Sequence, residues 1–318
     1  NDAFKEEQSI IHQGETILKE SLSATDLREA YQKLLNDYKK LLKVSNRIVN
    51  FSDRNEKRLK VAEEALSKAN IRMEDELNEG HAIQMSMMPD NFDIHNRPEF
   101  SLYATLKPAQ EISGDFYDFF FVNDNLLCLC IGDVSGKGVP AALFMAVTKT
   151  LVQSKAAVNV STSKIVNHVN RALSKDNPYC TFVTLFIGLL NITTGELTFT
   201  NAGHNAPYIK HYKRRSTLLN QLHGPFAGIE ENLQYKEDKV LLKPGDQLIL
   251  YTDGVTEAIN RDDDFFGDRR LSEWIESHSF TYTRQFVEAM LEEVIHFTGD
   301  MDQADDITIM VLNYLGRK

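Results

Sequence analysis

The stretch TFVTLFIGLLNITTGELTFTNA, residues 181–202, decides the architecture. Two β-rich runs, 181–191 and 196–202, flank a short turn rich in Asn, Thr and Gly, which reads as a hairpin and so as antiparallel pairing. Similar runs occupy residues 100–106, 116–122, 126–131, 206–211, 247–252 and 308–313. Helical periodicity falls on residues 139–155, 163–175, 270–277 and 283–297. Helices grouped between strand pairs, rather than one after every strand, predict an α+β layered fold with an antiparallel β-sandwich flanked by helices. A doubly wound parallel sheet ranks second.

Upstream the texture changes. Between residues 25 and 88 there is no proline, and no glycine before Gly80. Leu27, Tyr31, Leu34, Tyr38, Leu41, Ser45, Ile48, Ser52, Asn55, Leu59, Ala62, Leu66, Ala69 and Met73 follow an alternating four–three spacing, the seam of a coiled coil. One helix cannot bury that stripe alone. A parallel homodimer is favoured, with an antiparallel hairpin broken at residues 50–55 as the alternative. The expected division is residues 1–89, a helical coiled-coil and linker region with a dimerising and regulatory role, and 90–318, a catalytic domain.

The net charge of −11 argues against nucleic acid, whose phosphates an acidic surface repels. The one dense basic run, Lys210 with Lys213, Arg214 and Arg215, reads as a solvated turn. Three cysteines without framework spacing fit a reduced, cytoplasmic setting, and no stretch is long enough to span a bilayer. The opening residues, from Asn1 to Phe4, show neither an initiator Met nor a signal pattern, so the chain reads as the C-terminal part of something longer.

Four short motifs carry acidic residues at strand ends: Asp115 in GDFYDFF (114–120), Asp133 in GDVSGKGVP (132–140), Asp253 in YTDGVTE (251–257), and the pair Asp305 and Asp306 in DDIT (305–308). Carboxylates gathered beside apolar strands resist desolvation and repel one another. Hard divalent cations remove that penalty and prefer oxygen ligands. Each motif alone is an ordinary turn; their joint occurrence is the signal.

GDFYDFF, GDVSGKGVPAALFM, TFVTLFIGLL with GELTFTNAGHNAPYI, LILYTDGVTEA and DDITIMV, in that order over residues 98–312, resemble the bacterial metal-dependent protein phosphatases. These are protein phosphatase 2C-like enzymes of the sporulation stage II protein E and sigma-B-regulator type. The resemblance implies a serine/threonine protein phosphatase with two manganese or magnesium ions, in which a water bridging the metals attacks phosphorus. It implies metal ligation by Asp115, Asp133, the Val134 carbonyl, Asp253 and Asp305, with Asp306 able to exchange roles with Asp305. The implied substrate is a phosphorylated regulatory protein of the anti-sigma-factor-antagonist kind. Two departures stand out. No arginine precedes the first aspartate in residues 107–113, where the eukaryotic relatives hold phosphate, and Lys137 reads either as a helper for that group or as a solvated lysine. His204 reads as a general acid or as part of a hydrogen-bonded turn. Residues 76–89 resemble the family's linker helix, whose movement would set activity. A catalytically silent scaffold is the alternative function.

Overall fold

The computed structural model describes residues 5–17, 19, 23–93, 97–158 and 161–316; the expectation placed on residues 1–4 lies outside them. The chain forms two compact units, residues 1–74 and 75–318.

In the first unit, α1 (Lys5–Ile17) precedes α2 (Ala24–Met87), whose last turns belong to the second unit. α2 is helical without interruption through residues 50–55, so the hairpin broken at that point is not formed. The polar side chains of Ser52 and Asn55 lower helix propensity only slightly, too little to stop a helix lacking Gly or Pro. The seam lies open within this chain: Tyr31 is 66%, Ile48 63%, Leu59 61% and Met73 63% exposed. No helix among the described residues is long and apolar enough to cross a membrane.

The second unit is a sandwich of two antiparallel sheets. One has the order β1 (Phe100–Lys107), β10 (Ile307–Tyr314), β9 (Gln247–Tyr251), β6 (Tyr208–Lys210) and β7 (Thr217–Leu218). The other runs β2 (Phe116–Asn123), β3 (Leu126–Val134), β4 (Val183–Asn191), β5 (Glu196–Ala202) and β8 (Asp238–Leu241). The hairpin read first in the sequence is β4–β5, where Asn191 Oδ1 accepts the Thr193 and Thr194 amides and Gly195 turns with φ of 80°. Such an Asx turn is what Asn and Gly in that order favour.

Helices cover both outer faces. α3 (Val139–Ala156) and α4 (Thr162–Ser174) lie on the β2–β8 sheet. α7 (Thr283–Thr298) lies on β1 and β10, joined by α6 (Gly267–Ser277) and the single turn α5 (Asp253–Thr256). Strands buried on two faces need apolar residues at every position. Along β10, Met310 and Leu312 point between the sheets while Ile309 and Val311 meet the helices. The unbroken runs LLCLCI and ITIMVL follow from that constraint. Trp274 packs in this outer layer, edge-on to Phe286, as a core residue. Cys128 and Cys130 are buried on β3, and burial pushes both thiols up. The basic run after β6 forms a turn, with Lys210 Nζ donating to the carbonyls of Ile275 and His278.

One charged pair sits inside this apolar packing. Lys149 Nζ on α3 lies 2.5 Å from Asp118 Oδ2 on β2, with side chains only 4% and 3% exposed, and Gln153 Nε2 donates to the same oxygen at 2.7 Å. Removing one partner strands a buried charge. Lys149→Met should therefore lower the unfolding free energy by about 3–5 kcal/mol, and Asp118→Leu on top should restore much of it. Urea titration of the parent and the two variants checks this; a loss below about 1 kcal/mol in the single variant would show that water reaches the pair.

Candidate metal and catalytic site

The motifs converge because the strands are antiparallel: Asp115 and the 305–306 pair precede their strands while Asp133 and Asp253 close theirs, which brings them to one end of the sandwich. Asp115 immediately precedes β2 and Asp133 lies at the end of β3, paired with Thr184 on β4. Asp253 follows β9 by two residues, and Asp305 and Asp306 lead into β10. One sheet thus contributes Asp115 and Asp133, the other Asp253, Asp305 and Asp306. Gly254 lets the turn after β9 lie against the lead-in to β10 within the second of these sheets, since a Cβ there would sit 1.9 Å from the Asp306 carbonyl oxygen. On the first sheet, a Cβ at Gly114 would lie 2.9 Å from the carbonyl oxygen of Val134.

Asp115 is 2% exposed, and its Oδ2 accepts from the Thr252 hydroxyl at 2.7 Å and the Thr308 hydroxyl at 2.6 Å. Both threonines belong to the opposite sheet, so the carboxylate ties the sandwich together at the site. Burial, then Asp133 and Asp306, nevertheless hold its pKa well above the usual carboxylate range. Burial first, then Asp253, Asp305 and Asp306, push Asp133 up to about 7. Burial, Glu257 and Asp305 raise Asp253 to about 6, against the opposing Gly254 amide and Lys137.

The adjacent pair divides its roles. Asp306 Oδ1 accepts the Ala109 amide at 2.7 Å, and its Oδ2 accepts the Ser113 hydroxyl at 2.7 Å and the Gly114 amide at 2.9 Å. Asp305 Oδ1 accepts only the Asp306 amide among these, at 2.9 Å, while its Oδ2 faces Lys137 Nζ at 3.2 Å. Lys137 also donates to the Ala304 carbonyl. With side chains 47% and 41% exposed, that ion pair contributes little to stability.

His204 is 3% exposed. Its amide is capped by Asn201 Oδ1 and its Nδ1 lies 2.8 Å from Thr184 Oγ1. Burial lowers its pKa to about 3, so it is neutral at physiological pH and lacks the proton a general acid must give. The hydrogen-bonded turn is the reading that holds.

The donors suit hard divalent cations: carboxylate oxygens that burial and mutual repulsion make costly to ionise alone. Among the described residues, however, no three or more His, Cys, Asp or Glu side chains converge closely enough to cage an ion. The oxygens of Asp115, Asp305 and Asp306 are turned to hydroxyl, amide and lysine donors instead. The donor chemistry fits hard divalent cations, although these oxygens do not close a cage.

Residues that sequence reasoning did not single out are Thr252, Thr308 and Ser113. Thr252 and Thr308 stand inside the quoted motifs, each within three residues of an aspartate, where a β-branched residue at a strand end reads as a strand former. Nothing in the sequence marks them as carboxylate donors.

Residues 123–315 match the family described as stage II sporulation protein E. Protein IcfG of Synechocystis sp. is 32% identical over 266 residues, 74% of this chain and 41% of its own length. Phosphoserine phosphatase RsbU of Bacillus subtilis is 28% identical over 205 residues, 64% of this chain and 60% of RsbU. The chain thus spans less than two thirds of either relative. Among solved structures, the SiaA-PP2C domain of Pseudomonas aeruginosa superposes with a TM-score of 0.68 at 21% identity, covering 77% of this chain and 98% of that one. The ordered motifs, the two-sheet fold and the family match over more than half of the sequence agree, and the chain belongs to the stage II sporulation protein E family, with the fold of the PP2C phosphatases.

Proposed function

We propose that this chain is a metal-dependent serine/threonine protein phosphatase acting on a phosphorylated regulatory protein, of the anti-sigma-factor-antagonist kind. The observation that carries this reading is the convergence of Asp115, Asp133, Asp253 and Asp305 from two sheets onto one end of the sandwich. The relative named phosphoserine phosphatase supports the substrate class. A silent scaffold has no use for buried carboxylates that repel one another.

In this reading Asp115, Asp133, the Val134 carbonyl, Asp253 and Asp305 hold two divalent cations, manganese or magnesium. When bound, such ions acidify water near neutral pH and neutralise phosphoryl oxygens. The chain's own groups do the positioning. Thr252 and Thr308 fix the Asp115 carboxylate, and Asp306 spends its oxygens on the 109–114 loop, which leaves Asp305 as the ligand of the pair. Lys137 sets a positive charge at the rim, where a phosphate would enter. The buried, neutral His204 gives the leaving seryl or threonyl oxygen no proton, so that proton comes from solvent.

Residues 1–89 form the regulatory, dimerising region in this proposal and residues 90–318 the catalytic domain. The seam's heptad spacing and its exposure support a second copy of this chain as its partner. The helix at 76–87 connects that dimer to the catalytic domain and sets its activity.

Hydrolysis of p-nitrophenyl phosphate and of a phosphoserine protein, with Mn2+ and after chelation, tests the assignment. Asp253→Asn should lower Mn2+-dependent turnover by at least about a hundredfold; parent-like rates in this variant would remove the site.

Linkage gives a second expectation. Asp133 and Asp253 have folded-state pKa values of about 7 and about 6, above the ordinary 3.8. The folded state therefore binds more protons than the unfolded one between pH 4 and 7, and stability without metal falls as pH rises through that window. Asp133→Asn should raise the Tm of chelator-treated protein by about 2–4 °C at pH 7.5. The gain should shrink at pH 5, and an equal gain at both values would contradict the repulsion.

Light scattering of the full chain should give twice the monomer mass, and Ile48→Lys with Leu59→Lys should give the monomer. A monomeric parent would refute the dimer.

A further inference from the structure

Gln84 is the one fully buried residue of α2, 5% exposed, while its neighbour Ile83 is 66% exposed. The inversion needs a reason, since burying a carboxamide costs free energy unless every polar atom is satisfied. Both ends of this one are. Gln84 Nε2 donates to the Ser113 carbonyl at 2.7 Å, and the Ser113 amide donates to Gln84 Oε1 at 2.9 Å. The side chain pairs with one residue of backbone as a neighbouring strand would. Ser113 needs such a partner, because it is fully buried in a segment outside any strand.

Ser113 is also the point at which the loop meets the site. Its hydroxyl donates to Asp306 Oδ2 at 2.7 Å and accepts the Asp115 amide at 3.0 Å. The next amide, Gly114, donates to the same Asp306 oxygen, and Ala109 donates to the other. One helix face presents the contact. Gly80, four residues before Gln84, has the Ile112 side chain 3.6 Å from where its Cβ would lie, and Met88, just past the helix end, is buried in the domain's hydrophobic core.

We propose that Gln84 is a positioning residue for the acidic site: its carboxamide holds the Ser113 backbone, and through Ser113 the carboxylates Asp115 and Asp306. This deepens the phosphatase reading and depends on it only for the activity measurement. A helix contact that merely anchors the domain would act on Ser113 alone. A positioning contact must also reach groups that Gln84 does not touch.

Residue-resolved hydrogen exchange over 107–115, in the full chain, separates the two. In Gln84→Leu the Ser113 amide loses its acceptor in either case. Positioning further predicts that the Gly114 and Ala109 amides, whose acceptor is Asp306, lose protection by about tenfold or more. Mn2+-dependent kcat/KM should fall about 10- to 100-fold, with a higher Mn2+ concentration needed for half-maximal rate. Ser113→Ala, which keeps both Gln84 bonds to the backbone, should reproduce the loss at Gly114 and Ala109, and the double variant should add little to it. Loss of protection at Ser113 alone, with parent-like turnover, would overturn the proposal. So would Ser113→Ala with Gly114 and Ala109 at parent protection, which decides the matter even if Gln84→Leu does not fold. An inactive parent would defeat the phosphatase reading while leaving the exchange result to judge Gln84.

Discussion

Repulsion among carboxylates held at one end of two packed sheets is the constraint that the rest of the structure answers. Three of them, Asp115, Asp133 and Asp253, have pKa values raised by burial first and by neighbouring acidic side chains second. An uncompensated buried charge costs several kcal/mol. A fold does not hold such a cluster unless its surroundings are stiffer than the force pushing it apart. The Thr252 and Thr308 hydroxyls answer directly, reaching from one sheet to a carboxylate on the other. A hydrogen bond to a charged group contributes about 1.5–3 kcal/mol, and two converge on a single oxygen here.

The stiffness comes from layers. Each sheet is buried on both faces, so neither can slide without exposing apolar surface to water. Polar contacts inside these layers differ in value by their exposure. The Lys149–Asp118 pair is shielded and fixes α3, which starts just after the Asp133 loop, against β2, which starts just after Asp115. Lys137–Asp305 has a similar composition but faces solvent, where salt and water weaken it. The first pair maintains architecture; the second holds little of it together.

Much of this was legible because the physics is local. Apolar runs marked the long strands, and Asn-Ile-Thr-Thr-Gly marked the β4–β5 turn, where side chain and φ requirement lie within five residues. The two-residue β7 and the exposed β8 were not legible, since neither has enough apolar pattern to distinguish it from a loop. In the site, the aspartates could be named, but Asp305 and Asp306 could not be told apart. What separates them is the Ala109, Ser113 and Gly114 donors nearly two hundred residues away, and no short-range rule reports such a partner. Gln84 was hidden for the same reason: on a helix rich in polar residues, one more glutamine carries no signal until Ser113 is placed against it.

His204 shows how a residue type that suggests chemistry can serve geometry instead. Histidine in a loop near an acidic site suggests proton transfer, and a pKa near neutrality would have sustained that role. Here burial lowers the pKa to about 3, so ionisation at physiological pH is suppressed by roughly four orders of magnitude. The imidazole still offers a fixed hydrogen-bonding atom, and it lies against Thr184, the residue paired with Asp133 across β3 and β4. The ring bonds to Thr184 while Asn201 fixes the backbone of the same turn, and a ring that stays neutral at physiological pH is a stable support. Asp133 is thus backed by a group insensitive to the very titration that Asp133 itself undergoes. Ser113 and Gln84 stand in the same relation to Asp306. Asp115 and Asp306 are held by hydroxyl and amide donors that carry no charge, so these contacts persist while the charge of the cluster changes.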